Sequence, residues 1–595
     1  AGAEPGRFAG EGAALPGWAG FFALGGVALT GIDLPAHLAL VARFGLQASH
    51  LAVGFVLAAL ALLLVQKRLW LAAHVAGTGS PGEALAQHYG SVTLRVVMLT
   101  LAALFALPYA ATILGGTATR LVEVAGGAVP RSVAVWLLAF GLFLPAVIGG
   151  WRATVLITAV EALLLAVVFA AVAGVAHRVA GPGFPEAALP VAADVLADRI
   201  PGVVQYSAGL GKEVAQGGPF TTLAIISGAL ALVGLVLSPG VLYLGMTLRA
   251  GRGLAFGTVW VLAGLVAGLL LVLGPVLAGA LAQGPAALMD RLAGVELFAG
   301  AGLGLLLVGA GMLATGFLVT SGTLLIVREL VVPFVLPGVS ARAGRLTARV
   351  ALAMAFALMA ALASFSPLSA AVFGSLALPL SVQLFPALLG LAFVRWISRS
   401  AVLTGLILGC LMVFFTEPPG LILFEGLFLD LPWGRWPLTI HSAGWGLALN
   451  LGAVLLVSIF TRAGAERLHR DRLHDEFAAR WRTDFGGRGA RGAIWSLSVI
   501  WAFFALGPGA ILGNTFFSQP IFAGGEAVLG IPSLWVWQLL VWLLGVPLVW
   551  WLAYRVRLGM TQDDGLRPLN AGAAGRRARR APAWIAAGLA RVTER

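Results

Sequence analysis

The sequence predicts an all-α polytopic membrane protein with about fourteen transmembrane helices, and three observations carry that reading. Of the 595 residues, 60% are apolar and only 11% charged, against roughly 25% charged in a soluble domain. A mean hydropathy of +0.97 is the reverse of the disordered signature. The apolar residues also fall in runs of the ~20 residues a helix needs to cross a bilayer, without the apolar–polar alternation of barrel strands.

The runs lie near 17–43, 50–73, 92–118, 131–149, 152–177, 219–246, 254–284, 296–328, 346–366, 370–394, 400–416, 438–460, 493–514 and 533–554. The 1–16 lead lacks the basic, apolar and cleavage regions of a signal peptide. Before the third run, Ser80-Pro-Gly-Glu83 starts a short helix toward Tyr89: the serine caps, the proline suits the first position and the glutamate sits third. The longest outer loop, 179–218, carries Pro182, Pro185, Pro190 and Pro201. Past the twelfth run, a basic stretch, 462–492, mixes His469, Asp471, His474 and Asp475 with arginines and reads as a solvated amphipathic helix, with metal binding as the lesser reading. Runs thirteen and fourteen then precede a basic tail, 555–595.

The net charge of +13 reports topology before it reports nucleic acid. With the start of the first run on the cytoplasmic side, thirty of the 38 Lys and Arg residues fall on that side, as the positive-inside rule requires. The chain is expected in the inner (cytoplasmic) membrane with its C-terminus cytoplasmic. The Gly575-to-Arg580 cluster reads as a juxtamembrane segment meeting anionic lipid, so the bilayer is a partner and nucleic acid is not. Lys67 and Lys212 are the only lysines, a usage typical of GC-rich bacterial genomes. Cys410 is the single cysteine, which excludes an internal disulfide framework or a Cys-based metal site.

Polar groups inside a span are costly and therefore candidates for function. The first run is interrupted by Gly25-Gly-Val-Ala-Leu-Thr-Gly-Ile-Asp-Leu-Pro35, the sixth by Leu237-Ser-Pro-Gly-Val-Leu-Tyr243. Corresponding breaks in two spans point to a transporter site, because unwound carbonyls hold cations and half-helix N-termini hold anions; a pair of kinks with no ligand is the equal alternative. The eighth run carries Thr315, Thr320, Ser321 and Thr323, whose hydroxyls suit a small cation or merely back-bond to their own helix. Glu161 in the fifth run suits proton coupling, and Tyr109 after Pro108 lines a cavity or packs. Nothing resembles a nucleophile elbow, a phosphate loop or a zinc motif, and an enzyme is not expected.

Together, Ser80 to Gly90, Leu104-Phe-Ala-Leu-Pro-Tyr-Ala110, Gly149-Gly-Trp-Arg-Ala153 and Leu237-Ser-Pro-Gly240 resemble the sodium:solute symporter family, over about 17–461, as a divergent member. The resemblance implies a five-plus-five inverted repeat, 17–178 against 219–399, with 400–461 and the C-terminal helices added. It implies a Na⁺ site of carbonyls near Gly26 and Leu29 with Phe317, Thr320 and Ser321 of the eighth span. An alternative alignment places Leu318 and Val319 at the hydroxyl positions. Substrate contacts would fall on Thr30, Gly31, Tyr109, Ser238, Pro239, Gly240 and Tyr243. The chain departs from the family at Val27-Ala28, where many members carry an acid, and at Ile157-Thr158 and Glu161 in the fifth span. The family's helix before the broken one has no counterpart in the sequence as given.

The expected function is cation-coupled symport of a small organic solute, a carboxylate or amino acid, by alternating access. No organic cofactor is expected; Na⁺ is the coupling ion, with H⁺ at Glu161 as the alternative. A non-transporting sensor, scaffold or complex subunit, docking through runs thirteen and fourteen or the basic loop, is the competing reading.

Overall fold

The computed structural model describes Phe8 and residues 15–558, except 76, 181–195, 206–216, 250, 282–283, 428, 430, 462–466, 468–469, 472, 476–487 and 518–530. Most of the basic loop, His469 included, and the 575–580 cluster lie outside the described residues.

Among the described residues the chain is helical, with one isolated bridge between Leu15 and Leu248. Ten helices among the described residues are long and apolar enough to cross a membrane, and up to thirteen if each bent pair is one span. The fourteenth expected span depends on Arg131–Ala180, 50 helical residues divided by a kink at Gly150. As one straight helix, at 1.5 Å per residue, they would measure ~75 Å, more than twice a bilayer's ~30 Å core. Gly150 has φ 59° and ψ −150°, a conformation only glycine adopts freely. A Cβ there would also lie 2.4 Å from the Phe8 carbonyl. The runs read as spans four and five meet at this corner, and we number the spans on that division.

The first span breaks between Gly17–Thr30 and Leu34–Phe44 with a 44° bend, and the sixth between Thr222–Val236 and Pro239–Met246 with a 50° bend. Both second halves begin on proline, Pro35 within the first turn and Pro239 at the first position, where a missing N–H costs nothing. The breaks are five spans apart, as an inverted repeat requires. Ser80 also caps as expected: its hydroxyl accepts from Glu83 N at 3.3 Å, and Glu83 reaches back to Gly79 N at 2.8 Å, opening the helix Pro81–Tyr89.

Other elements differ from the sequence reading. The thirteenth span is not one helix but Gly492–Ala505 and Pro508–Asn514, bent by 52°, because Pro508 lacks a donor and is flanked by glycines. The third runs on to Val124 through a π turn, Phe105–Tyr109. The seventh is π-helical over Gly257–Val266 and Leu269–Leu273. The eighth extends to Val335, which brings Glu329 into the packed interior at 1% exposure rather than into a loop.

The last two spans are bonded into the bundle. Trp542 donates its indole N–H to Ala263 O at 2.9 Å and Trp535 to Leu271 O at 2.7 Å, both on the π-helical seventh span, while Gln538 donates to Leu46 O at 2.8 Å. His50 of the second span donates to Ala505 O at 2.6 Å. These tryptophans therefore serve as internal ties.

Candidate functional site

The first break is held from the third span. The π turn rotates Tyr109 so that its hydroxyl donates to the carbonyl of Gly31, the first residue past the helix end, where carbonyls lose their intrahelical partners. Asp33 then caps the second half with φ 55°, a left-handed conformation that Asp tolerates better than most residues. Its carboxylate lies 3.8 Å from the guanidinium of Arg120, also on the third span. Thr30 is fully buried and back-bonds to Gly26 O at 2.8 Å, a carbonyl that also accepts the helical N–H of Thr30 within Gly17–Thr30, so both lone pairs of a carbonyl expected to hold the cation are engaged here.

Gly26 is a point of close approach. A Cβ on it would lie 2.6 Å from Ala162 Cβ of the fifth span and 3.1 Å from Leu313 of the eighth. Glu161, beside Ala162, is half-buried. Leu29 is buried at 3% exposure.

The sixth break packs against the eighth span. A Cβ on Gly240 would fall 2.4 Å from Ser321 Oγ and 3.2 Å from Phe317. Trp151 stacks between Tyr243 and Phe317, with ring centroids 5.0 and 5.5 Å away, and donates to Thr247 Oγ1 at 3.2 Å. Phe317, Thr320 and Ser321 are at most 1% exposed. Ser321 back-bonds to Leu318 O at 3.2 Å, but the buried hydroxyls of Thr315, Thr320 and Ser238 have no protein partner. An orphaned buried hydroxyl costs about 1–3 kcal/mol, so each of these three needs a ligand, a water or a moving neighbour. Pro239, between Ser238 and Gly240, fixes the turn.

The structure thus brings Ser238, Pro239, Gly240 and Tyr243 together with Phe317 and Ser321, and Tyr109 with Gly31. Gly26 faces the eighth span at Leu313, two turns before Thr320. Leu318 and Val319 are both buried, and neither can donate a side-chain oxygen. Among the described residues no three His, Cys, Asp or Glu side chains gather as a metal site.

Sequence reading missed a cavity beside the first break, about 590 Å³ and lined by Arg43, Thr119, Arg120, Glu123 and Pro35 among others. Arg120 lies past 118, where the third run was expected to end; the signal was the unbroken helical run Thr119-Arg-Leu-Val-Glu-Val124. It also missed a buried pair on the opposite side of the bundle, Arg95 with Glu329 at 3.0 Å.

No family model and no curated protein matches the chain. A Na⁺-coupled sialic acid symporter, solved substrate-bound and outward-open, shares the fold with a TM-score of 0.59 and 14% identity over 78% of this chain and 93% of that one. Mhp1 in an inward-facing conformation aligns at a TM-score of 0.39 with 13% identity, over 77% of this chain and 93% of that one. The Eremococcus coleocola manganese transporter aligns at 0.41 with 16% identity, over 77% and 95%. Both scores are too low to establish a common fold.

Proposed function

We propose that the chain is a secondary active carrier that moves a small organic solute, a carboxylate or amino acid, across the cytoplasmic membrane by alternating access, coupled to Na⁺. The observation that carries this is the eighth-span face at Phe317, Thr320 and Ser321 set against the break at Ser238–Gly240, with the Thr320 and Ser238 hydroxyls buried and unpartnered. Hydroxyls are hard ligands suited to a small cation, and the break in the first span, at Gly31, exposes carbonyls of the kind that hold one. The sialic acid symporter with the same fold is itself Na⁺-coupled, which agrees with the reading.

The solute sits between the two breaks, against Thr30, Gly31, Tyr109 and Tyr243. Arg43 and Arg120 line the cavity next to the first break, and the half-helices starting at Leu34 and Pro239 present their N-termini, the ends that favour a carboxylate. Glu161 is the proton carrier if Na⁺ coupling is lost. The complex-partner reading through the last two spans has less to rest on, since Trp535 and Trp542 bond within the chain.

The test is uptake into proteoliposomes of a carboxylate and amino-acid panel, under a Na⁺ gradient with K⁺ and choline as controls. Ion and solute must each raise the other's affinity by the same factor. The Thr320→Ala, Ser321→Ala double variant is expected to lose Na⁺ stimulation while remaining folded; unchanged stimulation discards the site.

A further inference from the structure

A second cavity, of about 420 Å³, lies on the other side of the outer half of the first span. That volume is within the ~300–1,000 Å³ range of small-molecule sites. One wall is the 32–44 segment of the first span, with Ile32, His37 and Phe44; the opposite wall is the 219–232 segment of the sixth, and Trp436 and His441 close it. The outer halves of both broken spans therefore border one space.

The loop that closes the cavity is held in a costly conformation. Trp436, Leu438 and Thr439 have φ of 58°, 58° and 62°, values that non-glycine residues hold only where surroundings over-determine them. The surroundings are visible. Glu417, with no exposure, accepts from Trp436 Nε1 at 2.9 Å and pairs with Arg435 at 3.0 Å. Thr439 bonds Thr221 at 2.7 Å, and the His441 backbone N–H donates to Ser227 Oγ at 2.9 Å. The Glu417–Arg435 pair leaves this wall nearly neutral.

The polar groups that remain are two imidazoles. His441 Nδ1 accepts from Ala443 N at 3.1 Å, so in the neutral ring Nε2 carries the hydrogen and is a donor. His37 is 7% exposed, and its Nε2 has no protein partner. Apart from Arg435, paired with Glu417, and Thr439, bonded to Thr221, the rest of the lining is aliphatic and aromatic. We infer that this cavity is a binding site, separate from the carrier site between the breaks, for a neutral molecule with an apolar ring or chain body and one hydrogen-bond-accepting head such as a carbonyl. The head takes the His441 Nε2–H, and the body packs on Phe44, Phe220 and Trp436. Because the two outer half-spans share the ligand, occupancy holds them in the relation seen here.

The experiment uses the full chain in lipid nanodiscs and ¹⁹F resonances of two probes, 6-fluoro-2-acetonaphthone and 6-fluoro-2-ethylnaphthalene, which share a body and differ in the acceptor head. Saturable binding of one ketone per chain is expected, at least tenfold tighter than the ethyl compound. His441→Phe should weaken the ketone at least fivefold toward the ethyl compound's level. Ala224→Phe and Leu232→Trp fill the space from the sixth span, and either one that keeps the wild-type thermal midpoint should abolish saturable binding. The Thr320→Ala, Ser321→Ala variant should leave it intact, which separates failure of this site from failure of the Na⁺ reading. Equal affinity for the two probes overturns the inference, as does binding that survives both filled variants. A co-purifying lipid acyl chain at one per wild-type chain, lost in the filled variants, overturns it in favour of lipid.

Discussion

Removing either member of the Arg95–Glu329 pair should destabilise the protein far more than removing both. The two side chains are 8% and 1% exposed and 3.0 Å apart, joining the start of the third span to the end of the eighth. The short helix opened by Ser80 lies directly on them, since a Cβ on Gly82 would sit 2.5 Å from Glu329 Oε2. Glu329→Leu leaves a guanidinium buried without its counter-ion, a defect of about 3–5 kcal/mol. In the double variant Arg95→Met, Glu329→Leu, no charge remains to desolvate, and stability should return to within ~1 kcal/mol of the wild type or exceed it. The cycle then gives a coupling of at least about 2 kcal/mol, within the range for contacting residues. Denaturant unfolding of detergent-purified protein, followed by tryptophan fluorescence, reads the four free energies. Additive losses in the double variant would refute the argument, because they would mean that the two groups are already solvated.

Four further outcomes follow from the geometry. Gly26→Ala drives a methyl into Ala162 at a 2.6 Å approach, and overpacking should cost about 1–3 kcal/mol, seen as a lower thermal midpoint; Ala162→Gly in the same chain should restore it. Tyr109→Phe removes the donor to Gly31 O at about 0.5–1.5 kcal/mol of stability, and uptake should fall more steeply than stability, which parallel uptake and melting assays compare. Burial, with Arg68 and Arg395 nearby, lowers the His474 pKa from 6.5 to about 4. Folding thus favours the neutral ring, so its contribution is complete above pH 6.5 and is lost as pH falls toward 4; amide exchange at 470–475 should quicken over that window, and His474→Gln should flatten the response. Trp535→Phe with Trp542→Phe frees two carbonyls of the seventh span and should cost about 1–3 kcal/mol in total, with exchange rising at 263–271 before the rest of the bundle.

The parts of the fold that were legible in sequence are those set by strong local chemistry. Pro35 and Pro239 mark the two breaks because proline cannot continue a helix from within it. Ser80 and Glu83 mark a helix start because cap and third residue are read over three positions. The long runs are legible because lipid demands them. Features that depend on partners far along the chain were hidden. Nothing near Gly257 announces a π-helix, whose loosened carbonyls are tolerated because Trp535 and Trp542 reach them. Glu329 looked like a loop acid because its partner, Arg95, is 234 residues away. At the candidate site, Ser321 could be paired with the sixth break only once the spans were placed, since Gly240 is conspicuous by the side chain it lacks. The cavity closed by His441 was invisible because its walls come from five separate stretches of chain.

The indole ties to the seventh span also set a timetable for biosynthesis. Their partners are separated by 264 and 279 residues, so at about 5–20 residues per second of synthesis the carbonyls of Leu271 and Ala263 wait roughly 13 to 56 s for their tryptophans. A ribosome stalled before residue 535 would leave a seventh span whose carbonyls at Ala263 and Leu271 lack the indole donors they bond in the finished bundle.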